Sequence, residues 1–122
     1  MNVRATRSSG ALILHLERSE ILDCHCSEAV KQAVLSHLDG RTDLVIDLGR
    51  VEFMDSAGVA VLVSVVKAAR LNGSQVVFAA ALPGVLNVLE LIRLDQIFHL
   101  QPDVASATRY LAERRASVAR GA

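Results

Sequence analysis

Val51-Glu52-Phe53-Met54-Asp55-Ser56-Ala57-Gly58-Val59-Ala60-Val61-Leu62-Val63 is the segment whose reading decides the fold of this chain. Its apolar run breaks at Asp55-Ser56, and a long apolar segment starts immediately behind. That order predicts an extended segment delivering the chain to the first turn of a buried helix. Ser56 is placed as the N-cap, its hydroxyl accepting a hydrogen bond from the backbone N–H of Gly58 or Val59. Gly58 costs up to about 1 kcal/mol against alanine in a helix. The close approach of another surface to a bare backbone would explain its presence. The first turn also carries partial positive charge and free amides, so it would tolerate a phosphate. Ser56 is therefore either a cap alone or a cap that doubles as a switch.

Downstream, the helix is expected to run to about Leu71 and to stop at Asn72-Gly73. Ser64, Lys67 and Arg70 fill a narrow polar arc, which implies that most of the helix is buried. Gln75 to Ala80 reads as the next strand. Pro83 suits the first turn of a further helix reaching about Ile92. Asp95 to Leu100 is expected to form a last short strand. Pro102-Asp103 opens a terminal helix that ends around Glu113-Arg114-Arg115, leaving residues 113–122 as a frayed tail.

Upstream, Asp43 to Leu48 is apolar and β-branched at its centre, as a central parallel strand requires. Before it, about Cys24 to Leu38 has the three-four apolar spacing of an amphipathic helix, with Gly40 as its C-terminal cap. Val3 to Arg7 and Ala11 to Glu17, joined by Ser8-Ser9-Gly10, predict a β-hairpin. Ile21-Leu22-Asp23 leads from the hairpin into the first helix. The sum is an α/β domain with a mixed, mostly parallel sheet, an N-terminal hairpin and about four packed helices. It is expected to be one domain over 1–122, with a core at about 3–112.

Composition narrows the function classes. The chain has 122 residues, 52% hydrophobic and 21% charged, with a formal net charge of +0. It is long enough for one real core, and it lacks the basic stripe of a nucleic-acid binder. Near-zero charge offers little colloidal repulsion, so a monomer or weak dimer with a protein partner is expected. No apolar run approaches the roughly 20 residues of a membrane span, and the N-terminus lacks a signal peptide's apolar core. These features predict a cytoplasmic protein with reduced thiols.

Catalytic chemistry finds no constellation. Cys24-His25-Cys26 could contribute to a metal site, but no second pair stands at supporting spacing for the four ligands zinc needs. Structural cysteines at a helix start fit better, with a reactive thiol as the alternative. Met54-Asp55-Ser56-Ala57-Gly58 is not a Gly-x-Ser-x-Gly elbow, and no phosphate-binding glycine loop is present. No cofactor, metal site or enzymatic activity is expected.

Phe53 to Val59, between an apolar strand and an apolar helix, resembles the signature of STAS domains. In pattern it is similar to the bacterial anti-sigma factor antagonists. Ile21-Leu22-Asp23, the Asn72-Gly73 turn before Gln75 to Phe78, and Pro83 to Phe98 match the same family in order and spacing. The resemblance implies phosphorylation at Ser56 and a partner-binding surface at Asp23, Met54, Asp55, Ser56, Ala57 and Gly58. It implies partner switching: the unmodified protein binds an anti-sigma factor of the serine-kinase type and frees a sigma factor. Phosphorylation inactivates it and a PP2C-like, metal-dependent phosphatase restores it. The competing role is a STAS scaffold without a phosphorylation cycle, in a signalling or membrane-transport assembly. Ala57 stands where many members carry a second hydroxyl, Val59-Ala60 replaces the usual Leu-Gly, and Ser19-Glu20-Ile21 replaces the family's Gly-Glu type.

Overall fold

A computed structural model describes residues 2–8, 10–17, 21–22, 25–40 and 42–121, without the side chains of 2, 21 and 118–121. In chain order the elements are β1 (Asn2–Ser8), β2 (Ala11–Glu17), β3 (Ile21–Leu22), α1 (Ser27–Leu35), β4 (Leu44–Asp47) and β5 (Phe53–Met54). They continue with α2 (Ser56–Asn72), β6 (Val76–Ala79), α3 (Pro83–Leu91), a 3-10 turn (Leu94–Gln96), β7 (His99–Gln101) and α4 (Val104–Gly121). The main sheet has the order β1-β2-β4-β6-β7, and β3 and β5 form a separate two-stranded ribbon. β1 and β2 are antiparallel, as the hairpin reading requires, and β2, β4, β6 and β7 run parallel. The domain is thus the expected mixed, mostly parallel α/β fold, with β4 at its centre.

Side chains alternate across a strand, and here both faces are covered. Leu12, Leu14, Leu16, Leu44, Ile46 and Phe78 point to one face, where they pack with Val30 and Val34 of α1, Leu62 and Val65 of α2, and Val85 and Leu89 of α3. Phe78 also meets the Phe98 ring at 4.8 Å between centroids. Ala11, Ile13, Val45, Val77 and Ala79 point the other way, against Ala107 and Leu111 of α4. Val59, Val61, Leu62 and Val65 of α2 are buried. At about 1.5–3 kcal/mol for each fully buried aliphatic side chain, their burial easily outweighs the roughly 1 kcal/mol propensity cost of Gly58.

Several boundaries differ from the sequence reading. α1 starts at Ser27 and ends at Leu35 with Ser36 in a right-handed C-cap, so Gly40 is not its cap. Gly40 instead lies against the Asn72 carbonyl, which a β-carbon would approach to 2.8 Å. The expected strand from Asp95 is a 3-10 turn up to Gln96, because Arg93 adopts φ 60° and the Phe98 N–H donates back to the Leu94 carbonyl at 2.8 Å. Only His99–Gln101 is extended. α4 does not stop at Arg115 but continues to Gly121. Ala, Arg and Glu are strong helix formers, and Arg115 is tethered to Asp43 at 3.3 Å. The Asn72-Gly73 stop is as expected, with Gly73 left-handed at φ 79°.

The edge strand is tied to α4 by the His99 ring, which stacks on Tyr110 with centroids 4.0 Å apart. Burial, and secondarily the positive charge of Arg114, hold the His99 imidazole below the ordinary histidine pKa of 6.5. The folded state therefore favours the neutral ring. Its contribution is complete above the unfolded pKa and is lost as pH falls from there towards the folded value. Melting temperature should accordingly decline as pH drops from about 7.5 to about 5.5, the window around an unperturbed histidine. His99→Phe should flatten that decline; a variant as pH-sensitive as wild type would remove His99 as its source.

Candidate functional site

The junction between β5 and α2 is assembled by three close backbone approaches. β3 and β5 pair in parallel with Ile21 opposite Phe53 and Leu22 opposite Met54, and the Asp55 N–H continues the pairing to the Leu22 carbonyl at 3.2 Å. The ribbon rests directly on the first turn of α2. A β-carbon on Gly58 would lie 2.4 Å from the Leu22 carbonyl oxygen and 3.0 Å from the Met54 β-carbon. From the other side α3 closes in: a β-carbon on Gly84 would lie 2.5 Å from the Glu52 carbonyl oxygen. The surface that needs the bare backbone at Gly58 therefore belongs to this same chain, which corrects the expectation of an approaching partner there.

The cap is corrected as well. Asp55, with extended φ −95° and ψ −171°, is the N-cap of α2, and its Oδ1 accepts from the Gly58 N–H at 3.0 Å. Ser56 is the first helical residue and is exposed. Aspartate and serine cap equally well, so the sequence could not choose between these neighbours. The strand pairing chooses, because the Asp55–Leu22 bond keeps Asp55 extended as the cap and the helix begins at Ser56, one residue earlier than expected. Ser56 thus sits at the positive end of a 17-residue helix with no capping duty.

Of the remaining expected site residues, Met54 and Gly58 are buried, forming the floor rather than the surface. Asp55 and Ala57 are partly exposed. Asp23 lies outside the described residues, as does Cys24. Phe53, which the sequence reading assigned to an apolar run, is half exposed on β5. Nothing in the local pattern marked it, since Val51 two residues earlier is fully buried. The exposed rim around Ser56 therefore includes Glu52, Phe53 and Ala60, an acidic and apolar surface with Asp55 beside the hydroxyl. Cys26 is half-buried and packs against the core. Among the described residues no cluster of three or more His, Cys, Asp or Glu side chains could hold a metal.

These contacts separate the three residues energetically. Gly58→Ala should lose about 1–3 kcal/mol to overpacking against backbone, more than the roughly 1 kcal/mol of helix propensity it would regain. Asp55→Ala should lose about 0.5–2 kcal/mol through the missing cap, whereas Ser56→Ala should stay within about 0.5 kcal/mol of wild type. Urea unfolding of the three variants checks the order; a Ser56→Ala loss equal to that of Asp55→Ala would return the capping role to Ser56.

The arrangement has close counterparts. The structure superposes on an anti-sigma-factor antagonist (STAS) domain protein from Planctomyces limnophilus with a TM-score of 0.80 and 20% identity, covering 90% of this chain and 97% of that one. An anti-sigma factor antagonist from Mycobacterium paratuberculosis gives 0.74 and 24% identity over 92% and 93% of the two chains. The murine Solute Carrier 26 family member A9 anion transporter, in its inward-facing state, gives 0.74 and 24% identity. That match covers 88% of this chain and 18% of the transporter. At these identities the structures establish the fold alone. The family model for the STAS domain matches residues 2–107, nearly the whole described fold. The chain belongs to the STAS domain family.

Proposed function

We propose that this protein is an anti-sigma factor antagonist that works by partner switching, with Ser56 as the phosphorylated residue. The observation that carries the reading is the division of labour at the helix start: Asp55 caps and Ser56 stands exposed beside it. A hydroxyl with no structural task can be modified without unfolding the domain. The proposed partner is an anti-sigma factor that is itself a serine kinase, with a PP2C-like phosphatase reversing the modification. The chain acts as one domain, monomeric or weakly dimeric, in the cytoplasm, as a binding protein and kinase substrate rather than an enzyme. Among the described residues no helix is long and apolar enough to cross a membrane.

The physical basis is electrostatic. A phosphate on Ser56 adds about −1.5 to −2 charges next to the Asp55 carboxylate. The free amides and dipole of α2 stabilise that charge within the folded protein. A partner seated over Glu52, Phe53, Asp55 and Ser56 would instead have to desolvate it beside existing acids. About 3 kcal/mol of penalty corresponds to more than 100-fold in affinity. Asp23 and Ala57 complete the proposed contact surface, with Met54 and Gly58 supporting it from below.

The superposition on an anion transporter favours a second reading, a STAS module that scaffolds a larger assembly without a phosphorylation cycle. Affinity capture with wild type, Ser56→Ala and Ser56→Asp separates the two. Both variants should melt close to wild type, since neither touches the cap. Ser56→Ala should retain an anti-sigma factor, and Ser56→Asp should bind it at least about tenfold more weakly. Equal binding by both, or a phosphate mapped to another residue after kinase treatment, would favour the scaffold.

A further inference from the structure

A polar cluster stands on the face of the sheet that α4 covers only in part. Side chains alternate along a strand, so Ile13 and His15 of β2 share one face with Val45 and Asp47 of β4. Ile13 and Val45 pack under Ala107 and Leu111 of α4. That helix runs from the end of β7 to beyond Arg115, which is bonded to Asp43 just before β4. His15 and Asp47 lie towards the carboxyl ends of their strands, outside the packed patch, with side chains 16% and 22% exposed. The outer strand β1 brings Thr6, half-buried, to the same face opposite Ile13. Among the described residues no further strand flanks it.

The three side chains form one hydrogen-bonded chain. His15 Nδ1 lies 2.6 Å from Asp47 Oδ2, and His15 Nε2 lies 3.0 Å from Thr6 Oγ1. The Gly49 N–H donates to Asp47 Oδ1 at 2.9 Å and fixes the carboxylate. An ionised carboxylate only accepts, so Nδ1 carries a proton, and in the neutral ring Nε2 is then an acceptor for the Thr6 hydroxyl. Nucleophile, base and orienting acid within hydrogen-bond reach of one another are what activates a hydroxyl for attack on an acyl carbon. Strands carry all three, which holds them more precisely than loops would. The sequence concealed the trio because its bonded pairs are 9 and 32 positions apart.

Arg4 adds a donor. It lies on the same face as Thr6, directly opposite His15, and is exposed. Its Nε donates to Glu17 at 2.6 Å, and its other guanidinium N–H groups can meet a carbonyl oxygen on which negative charge develops. We propose that Thr6 is a self-acylating residue that takes the acyl group of a small activated ester, with His15 as base and Asp47 as the positioning residue. The bond from Thr6 Oγ to the acyl carbon forms and the ester C–O bond breaks. The hydroxyl proton passes to His15 Nε2 and from there to the departing oxygen. An activated ester needs no further acid to expel that oxygen. The chain is modified once rather than turning over, in keeping with a binding role. None of these side chains belongs to the β5–α2 junction, so the site stands apart from the proposed switch at Ser56.

Treatment of the full chain with p-nitrophenyl acetate tests this. One equivalent of nitrophenolate should be released in a burst, and the intact mass should rise by one acetyl group. Fragmentation should place that group on Thr6 as an ester that hydroxylamine removes. Thr6→Val keeps the β-branched shape that suits a strand and should lose the modification, whereas Thr6→Ser should keep it. His15→Gln should slow acylation at least about tenfold, a conservative share of the roughly 100-fold or more that a positioned base supplies. The imidazole nitrogen shifts of His15 in NMR should report the Nδ1–H tautomer in wild type. In Asp47→Asn they should report the Nε2–H tautomer, because the amide donates where the carboxylate accepted; a merely structural Asp47 would leave the tautomer unchanged. An acetyl group mapped to Lys31, Lys67 or any residue in place of Thr6 would overturn the proposal. So would continuous release without a Thr6 ester, equal rates in wild type and His15→Gln, or an Nε2–H tautomer in wild type.

Discussion

The contact between the Leu22 carbonyl and the bare backbone of Gly58 is the constraint on which the β5–α2 end of this domain depends. With no room for a β-carbon, the β3–β5 ribbon can lie directly on the first turn of α2. That placement lets the Asp55 N–H bond to Leu22 while the Asp55 side chain turns back to the Gly58 N–H. Gly84 repeats the device on the far side, where α3 reaches the Glu52 backbone. The segment 52–54 is consequently clamped between two helix starts, and Ser56 is presented from a fixed platform.

On the proposed function, that platform would let phosphorylation of Ser56 change recognition without changing the fold. A phosphate at the first helical position meets favourable backbone dipoles, so the free protein tolerates it. The acidic neighbours Glu52 and Asp55 act in the opposite sense once a partner removes water from the same surface. On the proposed function, folding and binding would respond differently to one charge, because the helix start stabilises it in the free protein while the neighbouring acids oppose its desolvation in a complex.

The sheet behind the site supplies rigidity and sets distances. β4 is buried on both faces, between the α1–α3 layer and α4. α2 crosses this core from end to end, carrying Ser56 at its N-terminus and Arg70 near its last turn. Arg115 bonded to Asp43 and Tyr110 stacked on His99 hold α4 to the opposite face.

Much of this was legible in the sequence. The nearly continuous apolar run Ala11 to Leu16, the β-branched centre of Asp43 to Leu48, and Asn72-Gly73 as a helix stop marked the hairpin, the central strand and the end of α2. Those signals are local: period, burial and a left-handed turn are properties of a few neighbouring residues. The order of motifs around Asp55-Ser56 likewise pointed to the strand-to-helix junction where the candidate site is proposed. What the sequence could not decide was the role of each residue within it. Asp55 and Ser56 are equivalent caps by propensity, and only the long-range bond from Asp55 to Leu22 assigns one as the cap and frees the other. Gly58 read as an opening for a partner, and only the fold shows the space filled by Leu22. Phe53 read only as part of an apolar run, and a two-residue strand with one neighbour leaves it half exposed. In each case the deciding atom lies more than 30 residues away in sequence, where local pattern carries no information.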